Sequence, residues 1–395
     1  MAVFARFNSL AQKIQKKGFG WLYERIKYEL VRPNFAITRY ILGLIESLRK
    51  LYQRNNDASP NKMVPEDTLI AVYDLNVVPM TFDFAFFLAA AETFGKSHGK
   101  SKVFVLFLQK NSVLLDNEEY LAKVSEDSQQ WRLNNIVVQL AQLYPACSGY
   151  GLLPRNSQID NYIKNQCVYP PRYSSTHKLY AKNYAEIFEL IDKKLFRGFS
   201  ASKTGINYIQ QWMSSNNITS QMVVITLRNY GYDKTRNSNI DEWVKFAHWV
   251  KNEGFIPIFV PDTDSCWTST KELEHFIVFT EACWNQGLRM ALYELAFVNF
   301  FYSNGISSIG SLNKKIRLIA MNPVIEESLH FKADVVNSFG LDSGQRRYNF
   351  AEKHQFLSWK QDKFENIRDE FLEFVSSVTP LEKSGNVDKG GTSFE

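Results

Sequence analysis

At 395 residues, with 45% apolar and 22% charged residues, the chain has the length of two domains and a globular balance, which excludes a wholly disordered or collagen-like protein. The formal charge of +5 is unevenly placed: residues 1–56 hold eleven Lys and Arg against three acidic residues, a local +8, and the rest is −3. No apolar run reaches the ~18 residues of a membrane-spanning helix, and the N-terminus lacks the short apolar region of a secretory signal.

Residues 1–56 have helical periodicity, with Phe4, Phe7, Leu10 and Ile14, then Leu22, Ile26 and Leu30, then Ile37, Ile41, Leu44, Leu48 and Leu51 on one face. Basic side chains and Trp21, Tyr23 and Tyr28 fill much of the remainder. Such helices suit an anionic membrane surface, or pack on the protein's own core or a second copy. Nucleic acid is disfavoured, because the rest of the chain is acidic and carries no nucleic-acid-binding signature. Residues 57–65 read as a polar linker.

An apolar strand over 68–73, a helix over 82–94 and a strand over 102–107 make a βαβ unit and predict a parallel sheet. Residues 117–143 and 181–195 read as helical, and 145–180 as loop. A short helix over 206–213 opens a second half. The run QMVVITL over 221–227 is a strand covered on both faces. A helix over 241–252, capped by the Asn239 side chain, leads to a strand over 255–260. Helices over 271–280 and 287–297, strands over 299–302 and 316–321, and a terminal helix over 364–378 complete the reading. The fold class is α/β, with two facing Rossmann-like domains. Residues 66–200 form the N-terminal one and 201–350 the C-terminal one; helices over 351–379 and a disordered tail over 380–395 follow.

In open α/β sheets, ligands bind beyond the carboxyl ends of the strands. After strand 221–227 come Arg228, Lys234, Arg236 and Asn237, beside the free amides of the next helix, and this suits a diphosphate. The alternative is a solvated loop with Arg236 paired to Asp233. Asp262 and Asp264 follow the next strand as a D-x-D pattern, suited to ligand contact, to turn capping or, least of the three, to a metal. Glu294 lies in an apolar helix and needs a partner, either a ribose or Arg289 or Lys314. Asn304 sits in a turn whose amides can face a ligand. Asp74 and Asp83 flank the first strand-to-helix turn, where one can act as general base toward an acceptor hydroxyl, or both can cap. The six histidines form no cluster, and Cys147, Cys167, Cys266 and Cys283 form no CxxC pair. No metal site is expected, and the cysteines read as reduced thiols.

The stretch ITLRNYGYDKTRNSNIDEWVKFAHWVKNEGFIPIFVPDTD, with GLRMALYELAFVNFFYSNG, YDLNVVPMTFDFAFFLAAAE and WLYERIKYELVRP, resembles glycosyltransferase-like proteins of bacterial surface-polysaccharide loci with the GT-B fold. The resemblance covers most of residues 20–310. Where those relatives tend to have Gly-Pro, this chain has Gly305-Ile306. The resemblance implies a nucleotide-sugar donor on the C-terminal domain, no bound cofactor, and catalysis without a metal. It places Arg228, Arg236 and Asn237 in the phosphate-facing loop, and Glu294 and Asn304 on the nucleotide side. The expected protein is a cytoplasmic glycosyltransferase, peripheral at the inner membrane face, with a glycan or lipid-linked acceptor. The alternatives are a non-catalytic nucleotide- or glycan-binding protein and a sugar-nucleotide epimerase of the same fold.

Overall fold

The computed structural model describes residues 64–109, 125–154, 159–175, 180, 184–231, 234–268, 271–321, 341 and 344–384, with scattered positions among the first 45. The expected basic helices, most of the linker and the tail beyond Ser384 lie outside these residues.

In chain order the elements are β1 (Thr68–Asp74), α1 (Phe84–Ser97), β2 (Lys102–Leu108), α2 (Glu126–Arg132), a π-helical segment (Leu133–Val137) and α3 (Val138–Leu143). Next come β3 (Cys147–Leu153), α4 (Ile159–Ile163), β4 (Val168–Tyr169), α5 (Tyr184–Glu189), α6 (Lys203–Ser215), β5 (Met222–Thr226), α7 (Ile240–Asn252), β6 (Ile256–Val260) and β7 (Ile277–Val278). The last are α8 (Gln286–Leu295), β8 (Val298–Tyr302), α9 (Ser307–Ser311), β9 (Leu318–Met321), β10 (Gln355–Ser358) and α10 (Phe364–Ser384).

The architecture is mixed α/β with parallel strand pairing. The chain divides into two compact units. One is Met1–Pro79, Phe94–Glu118 and Ser148–Lys182; the other is Met80–Thr93, Glu119–Cys147 and Asn183–Glu395.

The first unit holds a four-stranded sheet in the order β3-β2-β1-β4, with β1 parallel to β2 and to β4. Every residue of β1 is buried, as suits a strand covered on both faces. Ile70, Val72, Leu106, Leu108 and Leu153 pack with Ile159, Ile163 and Tyr173 into one core. Strand β3 falls where a loop was expected. Its residues CSGYGLL hold two glycines and few β-branched side chains, so neither composition nor alternation marks it.

The second unit is built on a six-stranded sheet in the order β10-β9-β8-β5-β6-β7, with parallel pairs throughout. From β5 the chain moves outward through β6 to β7, then returns to β8 on the other side of β5 and moves outward again. This is the strand order of a doubly wound nucleotide-binding sheet, with its switch point between β5 and β8. The sheet core is rich in rings. Trp243, Phe246, Ala247 and Val250 of α7, and Ile367, Phe371, Phe374 and Val378 of α10, recur at helical spacing and bury against Val223, Ile225, Phe259, Phe300 and Ile319.

Several expectations are corrected here. Residues 271–280 are not a helix but a 3₁₀ turn followed by edge strand β7, two residues long and paired to Ile258 and Phe259. Strand β10 was not foreseen, because its four residues lie in a polar stretch. Helix α5 is shorter than the expected 181–195, and turns occupy the chain after Glu189. Helix α10 continues into the expected tail, to Ser384. Asn239 stands at the start of α7, but its side chain makes no cap bond. Instead the Asp362 carboxylate accepts from the Asn239 N–H at 2.7 Å and from Trp243 Nε1 at 2.9 Å, while Glu242 accepts from the Phe364 N–H at 2.7 Å. Helices α7 and α10 thus cap each other. Among the described residues, no helix is long and apolar enough to cross a membrane.

Candidate functional site

At the carboxyl ends of β5, β6 and β8 lies a cavity of about 290 Å³. Every element that lines it belongs to the second unit. Thr226, Leu227, Arg228 and Tyr230 come from the end of β5 and Arg236 from the loop beyond it. Pro261, Asp262, Thr263 and Asp264 follow β6, and Asn304, Gly305 and Ile306 follow β8. Arg289 of α8, Ser128, Trp131 and Arg132 of α2, Ile136 of the π-helical segment, residues Thr81–Asp83 and Tyr184 close it. The position is the one that doubly wound topology dictates, because crossovers leave a crevice where the strand order reverses.

Four arginines therefore meet at one cavity. Arg236 is held by Ser303: its Nε donates to Ser303 Oγ at 3.0 Å and its Nη2 to the Ser303 carbonyl at 2.7 Å. Ser303 sits at φ +41°, a conformation that side-chain-bearing residues seldom adopt, and it turns the carbonyl toward the arginine. Asn237 closes the loop from below, its Oδ1 accepting the Tyr230 N–H at 3.0 Å. The Ser238 N–H donates to the Arg228 carbonyl, and the Arg228 N–H to Ser238 Oγ, each at 2.9 Å. The guanidiniums of Arg228 and Arg132 stand 5.7 and 5.4 Å from the centre of the Tyr230 ring.

Three carboxylates line the same cavity, Asp83, Asp262 and Asp264. Asp83 is fixed by Thr81, whose hydroxyl donates to Oδ2 at 2.9 Å, and by a hydrogen bond from Tyr184. The segment is anchored where Ser308 Oγ donates to the Phe82 carbonyl at 3.0 Å. Burial pushes the Asp83 carboxyl above its ordinary value, against the lowering pull of Thr81, Tyr184 and the Arg236 charge. Asp262 accepts the Asn229 N–H at 3.1 Å; burial raises its carboxyl too, opposed by that bond and by Arg228.

A second cavity of about 320 Å³ shares Leu227, Pro261 and Asp262 with the first. Its other walls include Ile240, Leu273, Val278 and the exposed Trp267. Asp262 thus lies on the boundary between a largely apolar space and a cationic one.

The other expected site residues are placed differently. Asp74 belongs to the first unit and is fully buried. Tyr173 donates to its Oδ2 at 2.7 Å, and the Asn76 side chain and N–H donate to its Oδ1 at 2.7 and 2.9 Å. Its acceptor capacity is spent inside the fold. Lys234 and Asn237 do not line the cavity, and Lys234 is exposed. Glu294 does not line it either. Its Oε1 accepts from the Ala201 N–H and from Asn313 Nδ2, both at 2.7 Å, and its Oε2 meets Lys315 Nζ at 3.2 Å. The partner is therefore Lys315 with Asn313, not Arg289 or Lys314. Asn304 does line the cavity, with its Nδ2 3.4 Å from the Thr226 carbonyl.

No protein-family model and no curated protein sequence matches the chain. Among solved structures it is similar to a glycosyl transferase family 9 protein from Veillonella parvula DSM 2008, at 10% identity over 82% of this chain and 98% of that one, with a TM-score of 0.48. The ADP-heptose LPS heptosyltransferase II of E. coli is similar at 9% identity over 80% and 99% of the two chains, with a TM-score of 0.38. E. coli heptosyltransferase WaaC with ADP is similar at 11% over 78% and 99%, with a TM-score of 0.39.

Sequence reasoning did not find Arg132 and Arg289 as site residues. Arg132 stands in a polar helix of ordinary composition, and Arg289 was read only as a partner for Glu294. What brings both to the cavity is the packing of α2 and α8 beside the sheet's mouth, which no local pattern encodes.

Proposed function

We propose that the protein is a nucleotide-sugar-dependent glycosyltransferase whose second unit holds the donor. The observation that carries this reading is the cavity at the switch point of the six-stranded sheet, with four arginines and the Asp83 carboxylate on its wall. Charge-assisted, bidentate bonding is what a diphosphate requires, and guanidinium groups supply it. The neighbouring cavity suits the nucleoside: an apolar wall for the base and Asp262 for the ribose hydroxyls.

In the reaction, a hydroxyl of the acceptor attacks the anomeric carbon of the donor sugar. The glycosidic bond forms as the bond from that carbon to the diphosphate oxygen breaks. The electron pair leaves with the nucleoside diphosphate, and the arginines neutralise the charge that develops there. Asp83 takes the hydroxyl proton. Its raised affinity for protons makes it a better base than an ordinary carboxylate.

The acceptor in this proposal is a surface glycan or its lipid-linked precursor, met at the inner membrane face through the basic residues 1–56. Vesicle co-sedimentation tests that part. The full-length protein should sediment with anionic vesicles and be released by salt; sedimentation equal to that of residues 57–395 contradicts it. Turnover tests the whole. The protein, a nucleotide sugar and a bacterial lipid-linked glycan fraction should release nucleoside diphosphate, undiminished by EDTA. Release that requires Mn²⁺ or Mg²⁺ would contradict metal independence, and no release with any donor would contradict the transferase reading.

A further inference from the structure

The four arginines are not equivalent. Arg236 lies in the field of Asp83, and Arg228 in the field of Asp262. Among the described residues, no carboxylate forms an ion pair with Arg132 or with Arg289. Arg289 is only 4% exposed. Its Nε donates to the Ala282 carbonyl at 2.6 Å, and it hydrogen-bonds the Tyr293 hydroxyl, but both partners are neutral. Arg132 donates from Nη2 to the Tyr230 hydroxyl at 3.1 Å, while its Nε is buried with no acceptor.

The buried Arg289 guanidinium is costly without an anion, and the half-buried Arg132 carries the cost of a buried Nε–H without an acceptor. Both side chains line the same cavity. Arg228 and Arg236 therefore each feel a carboxylate beside them, Asp264 is a third carboxylate on the wall, and Arg132 and Arg289 are the two cations with no carboxylate at ion-pair distance. A diphosphate diester carries two negative charges, one on each phosphate.

Resting on the donor reading above, we propose that Arg132 and Arg289 are the residues that hold the two phosphates of the donor, and that they make the site selective for a doubly charged diphosphate. Arg228 and Arg236 then serve mainly to position Asp262 and Asp83. Helix α2 contributes through its π-helical continuation, which starts at the residue after Arg132, a feature frequent at ligand sites. Tyr230 keeps the Arg132 plane aligned from below.

The assignment separates the two pairs of arginines experimentally. Titration calorimetry of the full chain with inorganic diphosphate, and separately with a nucleoside lacking phosphate, reads the site without requiring turnover. Arg132→Gln should weaken diphosphate binding at least tenfold, and Arg132→Lys by less, because lysine keeps the charge and loses the fork. Arg289→Lys should also weaken it, and melting curves on the same preparations establish that the variant is folded. Arg228→Gln should cost less than Arg132→Gln. Nucleoside affinity should be unchanged in the Arg132 and Arg289 variants.

Wild-type affinity for diphosphate in folded Arg132→Gln and Arg289→Lys would overturn the assignment and leave the donor reading standing. The same holds if only Arg228→Gln loses affinity. Failure of the wild-type protein to bind diphosphate, nucleotide sugar or nucleoside would overturn both.

Discussion

Asp83→Asn is expected to lower glycosyl transfer by about 10²–10⁴-fold, the range for removing a positioned general base, while tightening the hold on diphosphate. The two effects have one origin. Asp83 lies in the field of Arg236, inside a cavity that four arginines line. Asparagine keeps the shape and the contact with Thr81, removes the base, and removes the negative charge that a diphosphate must approach. The pH dependence follows from the sign of the shift. Burial raises the Asp83 pKa above the ordinary 3.8, so the base is lost at a higher pH than an exposed aspartate would be. Wild-type activity should fall as pH drops through that raised value, and the residual rate of the Asp83→Asn variant should lack this limb. Stability has the opposite sign. A carboxyl with a raised folded pKa favours folding below 3.8, and the benefit is lost as pH rises through the folded value. The variant should therefore not melt lower at neutral pH. A substitution that lowers transfer less than threefold, or weakens diphosphate binding, would remove Asp83 from the reaction.

Phe371→Ala is expected to cost roughly 3–5 kcal/mol of stability, the range for truncating a fully buried phenylalanine. Phe371 is 2% exposed on α10. Its ring lies 5.3 Å from that of Phe255, 5.8 Å from those of Phe246 and Trp249, and 6.4 Å from those of Phe297 and Phe300. The rings come from α7, β8 and the ends of β6 and β8, so the cavity would open where helices meet the sheet. Because rigid rings surround the gap, little collapse can offset it. Denaturant melts should show the loss, and a change under about 1 kcal/mol would mean that α10 is not an integral layer of this unit.

The central sheet was legible because its inner strands are continuous apolar runs: MVVIT and IPIFV bury four or all of their five residues. The edges were not. Strands β7 and β10 have two and four residues and take their place from their neighbours' registers. At the site, Arg228, Asp262 and Asn304 were found because they closely follow strands, where topology forces residues toward the crevice. Asp83 was found as one of two carboxylates at a turn; only the fold distinguishes it from Asp74, whose oxygens are taken by Tyr173 and Asn76. Arg132 and Arg289 were missed because a helix period of 3.6 marks the buried face, not which polar residue ends at a distant cavity. Glu294 was correctly read as needing a partner, but Lys315 and Asn313 lie beyond the next strand, outside any local pattern.

Equilibrium titration with nucleotide sugars measures most directly what the arginine cavity holds. Calorimetry of the full-length wild-type protein against ADP-, UDP-, GDP- and CDP-linked sugars should show saturable binding of at least one. That ligand at 100 times its Kd should add about 2.7 kcal/mol of stability, and its affinity should drop at least tenfold in Arg132→Gln. Absence of binding by every nucleotide sugar would contradict the donor site, and binding that Arg132→Gln and Arg289→Lys leave intact would contradict the role of these two arginines alone.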